Sequence, residues 1–190
     1  MSKIGFGAGI ALLASAALFA SPAMAAQWAV DAATSTLSFE ATQTGAAFTG
    51  QFKEFTAEID FDPADPAAGS ISATINPASF SSGASDRDGM IGGAEWFDVA
   101  TFPEAKFVST GITAGAEAGS YVAAGTLTIK GVDVPVELPF TLAIDGTHAV
   151  ADGELTLDRL AFGVGTGDWE DDSVVSTAVK VLVHIEADTI

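Results

Sequence analysis

The sequence predicts an all-β protein: an extended antiparallel barrel of about eight strands with a short helical element near one end. Three observations carry this. Beyond residue 25, apolar and polar residues alternate with period two along most of the chain, the mark of strands buried on one face. The alternating segments are separated by short turns rich in Gly, Pro and Asp, as in antiparallel architectures. Two long alternating stretches follow one another between residues 120 and 145, which fits a barrel better than a sandwich of short strands.

The first 25 residues stand outside the pattern. Lys3 precedes the apolar run "IGFGAGIALLASAALFA", and Ala23-Met24-Ala25 supplies a small-x-small ending. These features are expected of a secretory signal peptide cleaved after Ala25, with residues 26–190 as a single exported domain, most simply in the periplasm. No second apolar run of about 20 residues follows, so an integral membrane protein is not expected. With no cysteine, neither a disulfide framework nor a lipidated cysteine is available. Residues 26–190 suffice for one core and fall short of two ordinary domains. They carry 6 basic against 25 acidic side chains, a formal charge of −19. Such a field repels nucleic acid and anionic membrane surfaces, so no nucleic-acid partner is expected.

Each strand can be justified in turn. "TSTLSFEA" sets Leu37, Phe39 and Ala41 against Thr36, Ser38 and Glu40, and "TAEIDFD" sets Ala57, Ile59 and Phe61 against Glu58, Asp60 and Asp62. After the turn "PADPAAGS", "SISATI" resumes with Ile71, Ala73 and Ile75. "YVAAGTLTIKG" puts Leu127 and Ile129 on one face, and "VPVELPFTLAID" does so for Val134, Val136, Leu138, Phe140, Leu142 and Ile144. The last strand, from about Val174 to Ala187, has Val175, Val179, Val181, Val183 and Ile185 on its apolar face. Pro135 and Pro139 cannot donate to a ladder, so their strand is expected at an edge, bulged, or turned with those nitrogens away from a neighbour. Residues 86–96 resist the strand reading; there Asp86 is expected to cap a short helix running through Gly92.

The chain is poor in reactive chemistry. It has no cysteine nucleophile, no GxSxG elbow and no Gly-rich phosphate loop. Of its two histidines, His184 shares a strand face with Lys180 and Glu186 and is expected to face solvent, while His148 is expected in a turn. No metal site is expected. "GDWEDDS" offers Asp168, Glu170, Asp171 and Asp172 but lacks calcium-loop spacing and reads as an exposed acidic loop, with Trp169 folding back over the barrel mouth. Asp86, Arg87 and Asp88 cannot face one another as an acid/base pair, because neighbours on a helix point about 100° apart. They are expected to form a structural clamp across the opening or to contact a ligand headgroup, and no catalytic residue is assigned.

The apolar phase of the strands nominates an inward set of Phe39, Ile59, Phe61, Ile75, Phe107, Leu127, Phe140 and Leu157, with Phe80 and Phe97 closing the end near the helix. Small inward residues, Ala41, Ala57, Ala73, Ala123 and Gly125, leave space that either a ligand or large neighbours could occupy, and Ala123 is placed with the ligand-contacting set.

"WAVDAATSTLSFEA", "GAAFTGQFKEFTAEIDFDP", "INPASFSSGASDRDGMI", "WFDVATFPEAKF" and "GTLTIKGVDVPVELPF", in that order, resemble the YceI-like family, periplasmic polyisoprenoid-binding proteins of lipocalin-like shape. The first is similar to the family's opening, and the second to the region after it. The third and fourth resemble its central signature, matching at Arg87-Asp88, Phe97-Asp98, Phe102-Pro103 and Phe107. The last resembles a second signature. The resemblance implies a lipocalin-like barrel around an apolar tunnel for an isoprenoid, quinone or fatty acyl lipid, with no other cofactor. Thr34 stands where the family often has histidine, and Gly89, Met90 and Ile91 stand where it often has a histidine and a leucine, so headgroup contacts of those histidines do not carry over. The expected function is a periplasmic lipid-binding or carrier protein, monomeric or homodimeric. A protein-interaction or stress-response module with an incidental cavity is the alternative, and a lipid-modifying enzyme comes last.

Overall fold

The computed structural model describes residues 26–190, so the expected signal segment lies outside the described residues. Eleven strands run in chain order: β1 Ala26–Val30, β2 Thr36–Gln43, β3 Ala46–Phe52, β4 Phe55–Phe61, β5 Ser70–Ile75, β6 Phe80–Ser81, β7 Ala105–Ala114, β8 Ser120–Ile129, β9 Val132–Asp145, β10 His148–Asp158 and β11 Ala178–Thr189. One α-helix, α1, spans Ser85–Met90. All the pairings are antiparallel, and β1 closes the sheet by bonding to both β4 and β11. β1 and β2 lie end to end along β11, β3 and β4 lie end to end beside them, and β5 continues into β6. The wall is therefore an eight-stranded closed barrel, three of whose staves are broken.

Long hairpins build the far side of the wall. At the β8–β9 turn, Lys130 and Gly131 both take positive φ (51° and 72°), the two-residue turn whose twist matches the flanking strands. Lys130 Nζ then donates to the carbonyls of Ala94 (2.9 Å) and Gly163 (2.8 Å), tying two loops to the hairpin tip at the helical end. The prolines of β9 meet the first of the expected conditions, because their stretch of β9 is a local edge with no ladder on its β10 side. The Leu142 amide bonds to Gly119 O (2.8 Å) on the β8 side, so even-numbered amides of β9 point to β8 and odd-numbered ones to β10. Pro135 and Pro139 thus face β10, and the β9–β10 ladder stops at Phe140–Gly153, just before them.

Two expectations about local structure are corrected. Asp86 does not cap α1: the N-cap is Ala84, with no side-chain bond, and Asp86 is exposed in the first turn. The helix ends at Met90, short of Gly92, because the chain turns back and the Phe97 amide bonds to Ile91 O (3.0 Å). His148 opens β10 instead of lying in the turn, since it pairs with Asp145 and Asp188.

The interior does not pack into one filled core. One buried cluster gathers Trp28, Phe61, Phe107, Ile112, Tyr121 and Ala123, and a second gathers Phe39, Phe80, Ile91, Trp96, Phe162 and Val175. Between and beside them, apolar residues that point inward stay half-exposed, among them Val136, Leu138 and Phe140 of β9 and Val179, Val181, Val183 and Ile185 of β11. In a self-filled barrel these side chains would be fully buried.

Candidate ligand tunnel

The half-exposed faces border a cavity of about 310 Å³, within the size range of small-molecule pockets. Ten of the eleven inward residues nominated from the sequence line it: Phe39, Ile59, Phe61, Ile75, Phe80, Phe97, Phe107, Leu127, Phe140 and Leu157. Ala123 does not. It has no exposed surface and belongs to the cluster where the rings of Phe61, Tyr121 and Phe140 meet (centroids 5.0–6.2 Å apart). Gly125 does not either, because a Cβ there would sit 2.6 Å from the ring of Phe107. On the β7–β8 side the space above small residues is filled by aromatic neighbours; Ala41, Ala57 and Ala73 on the other strands do border the cavity. Ile144, placed inward by its phase, is 41 % exposed at the strand end.

The helical end is built from pieces of three loops. Arg87 bridges α1 to β2: its Nε and Nη2 donate to Gln43 Oε1 (3.2 and 3.1 Å), and Nη1 donates to Ser82 Oγ (2.9 Å). Its guanidinium lies 3.9 Å from the centroid of the Phe48 ring. Asp88 Oδ1 accepts from the Ser82 amide (2.8 Å) and hydroxyl (2.6 Å), bonds that hold its carboxyl below the usual range. Arg87 therefore bridges α1 and β2 through a side-chain amide and a hydroxyl. Asp86 and Asp88 do not border the cavity; Arg87 and Gln43 do.

Arg159 organises the other loop and escaped the sequence reading, which had no periodicity or motif to find it by. It is 5 % exposed, and all five of its N–H groups donate to backbone carbonyls. Nε reaches Ser176 O (3.0 Å), Nη1 reaches Val164 O (2.9 Å) and Gly165 O (2.7 Å), and Nη2 reaches Val175 O (2.9 Å) and Trp169 O. Burial depresses its pKa, partly opposed by Asp158, Asp172 and Glu170. This fork places Trp169 over the barrel end, as expected. Its ring lies 5.5 Å from that of Trp96, its indole N–H donates to Glu95 Oε2 (2.9 Å), and it lines the cavity. Trp96 Nε1 is buried without a partner.

The carboxylates of the acidic loop serve the loop itself. Asp171 Oδ1 accepts from the Ser173 amide (2.8 Å), Asp172 Oδ1 from the Thr177 amide (2.6 Å), and Glu170 Oε1 from the Gly167 amide (3.1 Å). Among the described residues no group of three or more His, Cys, Asp or Glu side chains is placed to hold a metal. His184 lies on the outer face, as expected, with Nδ1 2.7 Å from Asp152 and Nε2 3.4 Å from Glu186; Glu186 also lies 3.7 Å from His148. Neither histidine borders the cavity.

The wall thus contains no acidic residue, lysine, histidine or hydroxyl; its polar side chains are Gln43, Arg87, Arg159 and three indoles. Such a surface can take an apolar chain out of water, at about 0.8 kcal/mol per buried CH₂. It offers no nucleophile and base within reach of one another.

Known proteins agree with this architecture. A crystal structure of Burkholderia cenocepacia BcnA is 41 % identical, with a TM-score of 0.79 over 83 % of this chain and 98 % of that one. A polyisoprenoid-binding domain from Saccharophagus degradans shares the fold at 18 % identity, with a TM-score of 0.68 over 87 % of this chain and 99 % of that one. A UPF0312 protein of Pseudomonas syringae pv. syringae is 33 % identical over 161 residues, 80 % of this chain and 83 % of its own. Residues 28–187 match the YceI-like domain, and the chain belongs to the YceI-like family.

Proposed function

We propose that this protein binds a lipid with a long apolar chain (an isoprenoid, a quinone tail or a fatty acyl chain) and carries it through the periplasm. The observation that carries the reading is the continuous apolar cavity inside a closed barrel whose inward side chains remain half-exposed. Its wall has the chemistry of a container: burial of methylenes drives entry, and nothing in it can activate water or attack an ester. The polyisoprenoid-binding neighbour and the family membership support the same cargo class. The apolar run and small-x-small ending of the first 25 residues support export. Delipidated protein titrated with Nile red tests the reading. Saturable emission at one equivalent, reversed by geranylgeraniol, is expected; emission that does not saturate, or that geranylgeraniol leaves unchanged, contradicts it.

A further inference from the structure

Among the described residues that border the cavity, Arg87 is the charged side chain with N–H groups left uncommitted, beside the neutral and unpartnered indole N–H of Trp96. Arg159 also borders the cavity, but its five N–H groups are all taken by carbonyls. Arg87 spends three of its five, two on Gln43 and one on Ser82, which leaves two N–H groups free. Among the described residues no carboxylate lies within salt-bridge distance of it, although the protein carries 25 acidic residues against 7 basic ones. The nearest acidic group in its network, Asp88, makes no hydrogen bond or ion-pair contact with it: the two share the Ser82 hydroxyl and otherwise attract only through space, and Asp86 is exposed in the first turn of α1. Lys53 adds positive charge near Asp88. A guanidinium fixed on three sides, stacked on Phe48 and bordering an acid-free apolar cavity lacks an acceptor of matching charge.

Resting on the lipid-binding reading, we propose that the cargo ends in an oxyanion, a carboxylate or a phosphate, which accepts from the two free N–H groups of Arg87 at the helical end of the tunnel. A cationic head is disfavoured at the same place by the same charge. The protein's general negative field does not reverse this, because it is screened over about 8 to 10 Å in physiological salt, whereas the hydrogen bonds act in contact.

The test is displacement of Nile red, a neutral dye, from delipidated protein at about pH 8, where the carboxyl and phosphate probes are ionised. The probes are dodecanoic acid, dodecan-1-ol and dodecylamine, then geranylgeranyl phosphate and geranylgeraniol. The acid and the phosphate are each expected to bind at least about tenfold more tightly than the matching alcohol, the size of a charge-assisted hydrogen bond. The amine should bind most weakly. The stronger anion identifies which source of oxyanion the site suits. Arg87→Met should bring the anions down to the level of the alcohols measured on the same variant. Equal binding of acid and alcohol by the wild type, or an unchanged ratio in Arg87→Met, overturns the oxyanion head and leaves the tunnel standing. Failure of every chain to displace the dye overturns the lipid-binding reading and the headgroup with it. The wild-type ratios decide the matter even if the variant does not fold.

Discussion

Two alanines of similar sequence context give opposite expectations, and the difference comes from where the structure puts them. Ala57 of β4 borders the cavity and is half-buried; Ala123 of β8 is fully buried and packs with Phe61, Tyr121 and Phe140. A phenyl ring added at Ala57 enters space that a ligand chain uses. If it displaces three or four methylenes at about 0.8 kcal/mol each, affinity falls by about 2.4 to 3.2 kcal/mol, or roughly 60- to 220-fold. The empty protein loses little, because the ring finds apolar walls already exposed to the lumen. Ala123→Phe has no such space. It forces the aromatic cluster off its rotamers and should cost about 3 kcal/mol or more of stability, the upper part of the range for overpacked cores. Urea melts of ligand-free protein and a Nile red titration should be run on both variants. The reasoning is refuted if Ala57→Phe destabilises the empty protein as much as Ala123→Phe does, or if it binds dye and isoprenoid as the wild type does.

Other consequences can be checked with the same equipment. Arg159→Met removes donors from five buried or part-buried carbonyls and should cost about 3 to 5 kcal/mol, part of the loss being offset by relief of a desolvated cation. Arg159→Lys, with three donors and no fork, should recover less than half; a midpoint shift worth under about 0.5 kcal/mol for either would sink the organising role. The pKa of His184 is raised chiefly by its bond to Asp152 and secondarily by Glu186, against partial desolvation. A raised folded pKa stabilises fully below the unfolded value of 6.5 and is lost as pH climbs through the folded one. The melting difference between wild type and His184→Gln should therefore be positive near that pH and vanish in mildly alkaline buffer; a constant difference contradicts it. For export, Edman sequencing of protein from the native host should begin at Ala26, and an intact Met1 on the folded protein would refute cleavage.

The barrel was legible because period-two alternation depends on local chemistry alone: each strand must bury one face, and Leu37-Phe39-Ala41 or Val134-Val136-Leu138 announces which. The lining residues followed from the same phase, which is why ten nominated positions border the cavity. Phase says that a side chain points inward, however, and not what lies opposite it. Ala123 and Gly125 point inward like Ala57, but Ala123 is buried in a cluster with Phe61 of β4 and its own strand's Tyr121, and the Phe107 ring of β7 covers Gly125. The bridge from α1 to β2 was half legible: the Arg87-Asp88 pair stands out, while its partner Gln43 is 44 residues away and ordinary in context. Arg159 was invisible, since a fork held by five backbone carbonyls leaves no side-chain partner to search for. Asp86 misled because an acid before a helix usually caps it, whereas here the helix starts at Ser85, two residues earlier than an Asp86 cap would set it, and Ala84 takes the cap position.

Whether the tunnel carries cargo is tested most directly by native mass spectrometry of the protein purified without detergent from its own host. The apolar cavity and its half-exposed walls lead to a population heavier than the bare chain by the mass of one lipid. Organic extraction should strip that lipid and release a species with a long hydrocarbon chain. A single peak at the mass of the bare chain, unchanged by extraction and by incubation with host lipid extract, would contradict the account.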